Sequence, residues 1–311
     1  MKIKEFLFLF LSVFIFAACS SDDDEGNLTG NEIFDHYFEQ DPDLSRCYEG
    51  ILKDARKKEV LDYVNYVRSL HNLPSVSYDY SSDIQMQKAA LIGLANETII
   101  HDPPTSSKCY SQEGADGCSL GNLSIAGNTI SYPNQTDIDV IDGFMKELNS
   151  TSIGHRRWLL YPFLKYTSYG RTIGKPDNAR FYYSTSALKI GYDETQDADI
   201  SEIPFVAYPY GEYPSKLFET NCFLSFSVVL EESRMWGAVD FASTTVVVKN
   251  GAGTGMVVTS MSYEYNGSGL PNSIKWKVSG LEKNVSYTIS IDNVFVKGVK
   301  KDFQYEFKIV D

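Results

Sequence analysis

Hydrophobic positions recur along this chain with two periods, a helical one before about residue 150 and an alternating one after about residue 180. From Asp54 to Leu70, Val60, Val64 and Val67 stand at helical spacing with Leu61 and Tyr63 beside them. This predicts a helix with one buried face. A second helix is expected from Ser82 or Asp83, either of which can cap it, through Ile84, Leu91, Ile92 and Ala95 to about Ile100. Asp139 to Leu148 predicts a third, shorter helix. Between them, residues 102 to 133 are rich in Pro, Ser, Gly and Asn and are expected to be a loop held by cysteines.

The later pattern is that of strands. Phe181-Tyr182-Tyr183, Phe205-Val206-Ala207-Tyr208 and Phe223 to Leu230 are β-rich, and beyond residue 231 five more such runs follow. These are Thr244–Lys249, Met256–Tyr265, Ser273–Val278, Val285–Val294 and Phe303–Val310, with Asn266-Gly267 as a turn signal. Their regular spacing predicts a small β-sandwich. Within it, Leu281 to Tyr287 resembles the leucine-to-tyrosine corner of fibronectin type III and immunoglobulin-like modules.

The amino terminus changes the picture from a soluble protein to an exported one. Lys2 and Lys4 precede an apolar run, Phe6 to Ala18, that is shorter than the ~20 residues needed to span a bilayer and ends in small residues before Cys19. Phe16-Ala17-Ala18-Cys19 resembles a lipobox, so Cys19 is expected to be lipidated and to anchor the chain to the outer membrane. The acidic run Asp22-Asp23-Asp24-Glu25 behind it resembles the surface-export signal of Bacteroidota lipoproteins. Residues 1–18 are therefore expected to be a signal peptide and 19–44 an acidic tether.

A formal net charge of −13, with no arginine or lysine stripe, argues against a nucleic-acid partner, since phosphate binding needs a basic face. Export to an oxidising compartment favours disulfides among the four remaining cysteines. Cys109 with Cys118 would close a short ring, and Cys47 with Cys222 would tie the start of the domain to its last strand. Three pairings are open on sequence grounds.

Candidate chemistry is sparse. The chain has no Gly-x-Ser-x-Gly elbow, His-Glu-x-x-His helix, phosphate loop or Cys-x-x-Cys pair. Of its four histidines, His36 in the tether and His71 at a helix end are expected to be solvated. His101 and His155 stand apart because of their surroundings.

Asn65-Tyr66-Val67-Arg68, Asn72-Leu73-Pro74, Lys88-Ala89-Ala90, His101, Gly121-Asn122-Leu123, Gly154-His155 and Ser168-Tyr169-Gly170 follow one another in an order that resembles the CAP superfamily of cysteine-rich secretory proteins, antigen 5 and pathogenesis-related proteins. The resemblance implies an α+β fold, a CAP-type α-β-α sandwich over residues 45–230, followed by the β-sandwich at 231–311. It also implies a cleft shared by His101 and His155, with Glu147, Asn122 and Arg156 beside it. Many members carry two acidic residues there and bind a divalent metal. Here Gly121 stands where one glutamate belongs, Glu113 or Asp116 could replace it only by folding inward, and Phe144 replaces a frequent tryptophan. His101 and His155 are accordingly expected to hold zinc weakly if at all, with no assured cofactor. The competing reading is structural, with His155 anchoring its helix and Arg156 or Arg157 paired to an acid. The implied function is binding of a small apolar ligand, a glycan or a host protein. A metal-assisted, peptidase-like hydrolase is the alternative.

Overall fold

A computed structural model describes residues 30–148, 150–191, 201–230, 237–265 and 269–311; the signal segment, Cys19 and the Asn266-Gly267 turn lie outside the described residues. The first part of the chain comprises α1 (Asn31–Tyr37), β1 (Phe38–Gln40), β2 (Ile51–Leu52), α2 (Asp54–Ser69), β3 (Ser77–Tyr78) and α3 (Asp83–Ala95). Next come α4 (Gln112–Leu120), β4 (Gly121–Asn128), α5 (Asp137–Lys146), α6 (Gly154–Leu159), β5 (Tyr166–Thr167), β6 (Tyr169–Gly174) and β7 (Tyr182–Lys189). No described helix is long and apolar enough to cross a membrane.

The α-β-α sandwich is present. Its sheet runs in the order β4-β7-β6, all antiparallel, and its two faces belong to different cores. Ala187 on one face packs with Met86, Ala89 and Ile92 of α3 and with Cys118 of α4. The next residue, Leu188, points to the opposite core, shared with Val60, Val64 and Val67 of α2 and Val140, Ile141 and Phe144 of α5. That one-residue switch of face is the period of a strand covered on both sides.

The asparagine and arginine of α2 are joints of the scaffold. Asn65 exchanges two hydrogen bonds with the Val76 backbone, at 3.0 and 2.8 Å. Arg68, fully buried, donates to the carbonyls of Pro74, Leu159 and Tyr161. The helix is thereby fixed to the following turn and to the end of α6.

The remaining strands are β8 (Phe205–Tyr208), β9 (Gly211–Pro214), β10 (Leu224–Val228), β11 (Val239–Asp240), β12 (Thr245–Asn250), β13 (Val258–Glu264), β14 (Ser273–Val278), β15 (Ser286–Val296) and β16 (Val299–Val310). They form one sheet in the order β13-β14-β10-β8 and another in the order β11-β15-β16-β9, with β12 also on β15. The tyrosine corner is formed, with the buried Tyr287 hydroxyl accepting the Glu282 N–H at 2.8 Å.

Four expectations require correction. The division at 230/231 does not follow the sheets, because β8 and β10 pair with each other and β10 with β14, while β9 lies parallel to β16. The alternation in these strands was read correctly, but it carries no information about which strand is the partner. All five residues of β10 are buried because both of its faces are covered: Phe226 packs on Phe303 of the other sheet, and Ser225 meets Arg156 of α6.

The tether does not extend to residue 44. Ile33 and Tyr37 are buried on the inner face of α1, so the chain is folded onto the domain from about residue 31. The loop at 102–133 contains α4 and β4. Small residues hide that helix: a Cβ at Gly117 would stand 2.4 Å from the Gln85 carbonyl oxygen, so α4 lies against α3 without the apolar periodicity that reveals a helix.

The disulfide is Cys47–Cys109, with a Cα separation of 5.1 Å, while Cys118 and Cys222 are buried thiols. Cys118 sits on the face of α4 turned toward the Ala89 carbonyl, away from Cys109. Burial pushes its thiol up to about 11, into the unreactive range.

Candidate functional site

His101 follows α3 and is exposed, its Nδ1 2.8 Å from the Cys118 carbonyl oxygen. His155 is the second residue of α6, a short helix that starts from Ile153 in the left-handed conformation. The two histidines line one cavity of about 440 Å³, together with Leu120, Asn122, Trp158 and Ile190. A second cavity of about 520 Å³, between β4 and α5, also reaches His155, whose ring forms part of both walls.

His155 is held at three points. The ring lies against Phe144 with centroids 4.8 Å apart and its Nδ1 is 3.7 Å from Glu147 Oε2, while the backbone carbonyl of the same residue accepts the Asn122 side-chain amide at 3.0 Å and so fixes its place on α6. Glu147 caps α5 in the left-handed conformation, which turns its side chain back toward α6. There Oε1 accepts the Arg156 N–H at 3.0 Å, and Oε2 has no hydrogen-bond partner. Desolvation lowers the His155 pKa; the Glu147 charge opposes that shift and His101 adds to it. The ring is therefore neutral at pH 7.

Of the residues expected at the cleft, His101, Asn122 and His155 line one cavity, and Glu147 lines the neighbouring one that shares His155. Arg156 is different. It is buried, donates to the carbonyls of Met145, Lys146 and Phe223, and stacks on Tyr208 at 3.6 Å, so it joins the two layers and does not face the cavity. Arg157 likewise reaches across to the Leu270 carbonyl and the Glu264 carboxylate. Arg157 is thus paired to an acid, whereas the Arg156 guanidinium bonds to backbone carbonyls and the Ser225 hydroxyl and to no carboxylate.

His71 corrects the expectation of a solvated side chain. It is buried between α2 and the β-sandwich, Nδ1 2.9 Å from the Ala207 carbonyl and Nε2 3.2 Å from the Tyr213 hydroxyl. His36 is only half-buried and lies 3.0 Å from Arg56.

The donor set does not fit a tight metal site. Among the described residues no group of three His, Cys, Asp or Glu side chains comes together as ligands. Gly121 cannot carry the missing glutamate in this backbone, because its Cβ would stand 2.8 Å from the Gly117 carbonyl oxygen. Glu113 and Asp116 lie on the exposed side of α4, bonded to Lys88 and Gln112, and neither lines the cavity. Two imidazoles remain, one short of the three protein ligands of an open zinc site.

Trp158 is the contributor that the histidine motif concealed. It stands three residues after His155, on the same helical face, and that spacing alone could have indicated it. Leu120 and Ile190 add apolar wall, while Asn122, Ser119 and Ser152 add polar groups. The lining can hold a flat apolar surface against the indole and satisfy hydroxyl or carbonyl groups at the imidazoles.

Residues 61–186, which run from within α2 to within β7 and include His101, His155 and the Asn122, Phe144 and Glu147 beside them, match the profile of the cysteine-rich secretory protein family, CAP. No curated protein matches the chain at a significant level. That segment of the chain therefore carries the sequence pattern of a CAP domain.

Proposed function

We propose that the protein is an envelope lipoprotein whose CAP cleft binds a small amphipathic ligand without transforming it. The observation that carries this reading is the single cavity lined by His101, His155, Trp158, Leu120 and Ile190, in which two imidazoles meet an aromatic wall. Neither serine in the lining is bonded to a histidine: Ser152 bonds to Ser150 and the Gly154 N–H, and no hydrogen bond joins Ser119 to His101 or His155. A nucleophile–base pair needs such contact. Catalysis therefore has less support than recognition.

Trp158 provides the test. Soluble glycans and short-chain acyl compounds titrated separately should produce a saturable change in tryptophan emission with one class. Trp158→Phe should abolish the response, and any signal that survives in that variant comes from Trp236 or Trp276 and not from the cleft. Turnover of a peptide or ester by the wild type, lost in His155→Ala, would replace binding by hydrolysis.

The membrane anchor is a separate part of the proposal and rests on the lipobox-like Phe16-Ala17-Ala18-Cys19. Metabolic labelling with a fatty-acid probe should mark the wild type and not Cys19→Ser, and the variant should be released from the envelope. An unlabelled wild type would end that part alone.

A further inference from the structure

We propose that the outer edge of β4 is a docking strip for an extended basic segment of a partner protein, which adds to the three-stranded sheet as a fourth strand. The strip is distinct from the small-ligand cavity, although His155 stands in the wall of both. β4 pairs with β7 on one side and with no described strand on the other. Alternate backbone N–H and C=O groups of an edge strand point outward and can serve as a template for another chain.

The space beside that edge has the dimensions and charge for such a guest. The cavity of about 520 Å³ is bounded by Leu123, Ser124 and Ile125 of β4, by Asp139 and Gly143 of α5 and by its cap, Glu147. A new strand must lie about 4.8 Å from its neighbour, so the opposite wall has to be set back. At Gly143 it is: a Cβ there would meet nothing within 4 Å. Leu123, Ser124 and Ile125 are buried or half-buried, which recesses the edge between the helical layers.

Charge selects the guest. Three carboxylates, Asp139, Asp142 and Glu147, line this cavity against one cation, Lys146. Glu147 Oε2 is buried behind the cavity wall, 3.7 Å from His155 Nδ1 and without a hydrogen-bond partner, so it adds negative charge beside the cavity without a donor of its own. With a net charge of −13, a second copy of this chain is disfavoured as the guest, and a basic segment is favoured. No lysine or proline within Gly121–Asn128 blocks the edge, unlike edges that proteins protect from pairing.

The experiment is an array of hexapeptides of alternating apolar and polar residues, each carrying one lysine, arginine or glutamate, probed with the full-length chain. The best basic peptide is then added to ¹⁵N-labelled protein. It should shift the amide signals of Leu123 to Ala126. N-methylation at alternate peptide residues, and separately Gly143→Leu, should each weaken binding about tenfold or more. Trp158→Ala should leave it unchanged, which separates this site from the small-ligand cavity. Should Gly143→Leu not fold, the methylated peptide decides. The proposal is overturned if no basic peptide binds, if glutamate peptides bind equally well, if methylation has no effect, or if Trp158→Ala abolishes binding while Gly143→Leu does not.

Discussion

Two buried or half-buried histidines, His71 and His155, mark regions of opposite character. At the seam between the CAP layer and the β-sandwich, both nitrogens of His71 have partners, and the guanidinium nitrogens of Arg156 are satisfied by backbone carbonyls. At the cleft, His155 faces a carboxylate at 3.7 Å whose Oε2 is left without a hydrogen bond, and its ring borders two cavities. Full satisfaction marks architecture. Unspent hydrogen-bonding capacity beside open volume marks a place where something else can bind.

The largest expected effect lies at the seam. Arg156→Ala removes the donors to three carbonyls, one buried and two part-buried, and a cation–π stack on Tyr208, and should cost about 3 kcal/mol or more of stability. Urea unfolding measures it. A loss below about 1 kcal/mol would break the distinction between the two regions.

His71 sharpens the comparison through pH. Burial pulls its pKa down to about 3, against 6.5 for an unperturbed histidine. The unfolded chain therefore binds more protons between those values. The contribution is fully present above about pH 6.5 and is lost at roughly 1.4 kcal/mol per pH unit as the pH falls toward 3. His71→Phe should cost about 1–2 kcal/mol at pH 7, a cost that shrinks or reverses by about pH 5. A pH-independent difference between the two proteins would contradict this account.

The smallest effect on stability is expected at the cleft. Glu147→Gln removes a buried charge lacking one hydrogen bond, so stability should change by less than about 1 kcal/mol in either direction. The His155 pKa, which Glu147 supports, should fall further below its usual range. Imidazole NMR titration reads that shift, and a rise would show that the pair is misassigned.

Legibility in the sequence followed the strength of each physical signal. The helices at Asp54–Ser69 and Asp83–Ala95 were visible because each buries an apolar face, and the one at Asp137–Lys146 was displaced by two residues because Thr136 and Asp139 form a capping box. α4 was invisible because its packing face is made of glycines. The cleft histidines were found through family order, since nothing local distinguishes His155 from His71. Strand partners and the Cys47–Cys109 pairing are long-range choices, and neither is encoded in the alternation of a single segment. Trp158 was in plain view, three residues from His155, and needed only the helical period to be read.

The central claim is that the cavity of His101, His155 and Trp158 is a recognition site, and native mass spectrometry of the protein purified from the cells that make it tests it most directly. The wild type is expected to carry one small non-protein ligand that is released on denaturation and is absent from Trp158→Ala, with both proteins equally folded. A wild type that carries nothing, or a ligand retained undiminished by Trp158→Ala, would contradict the account.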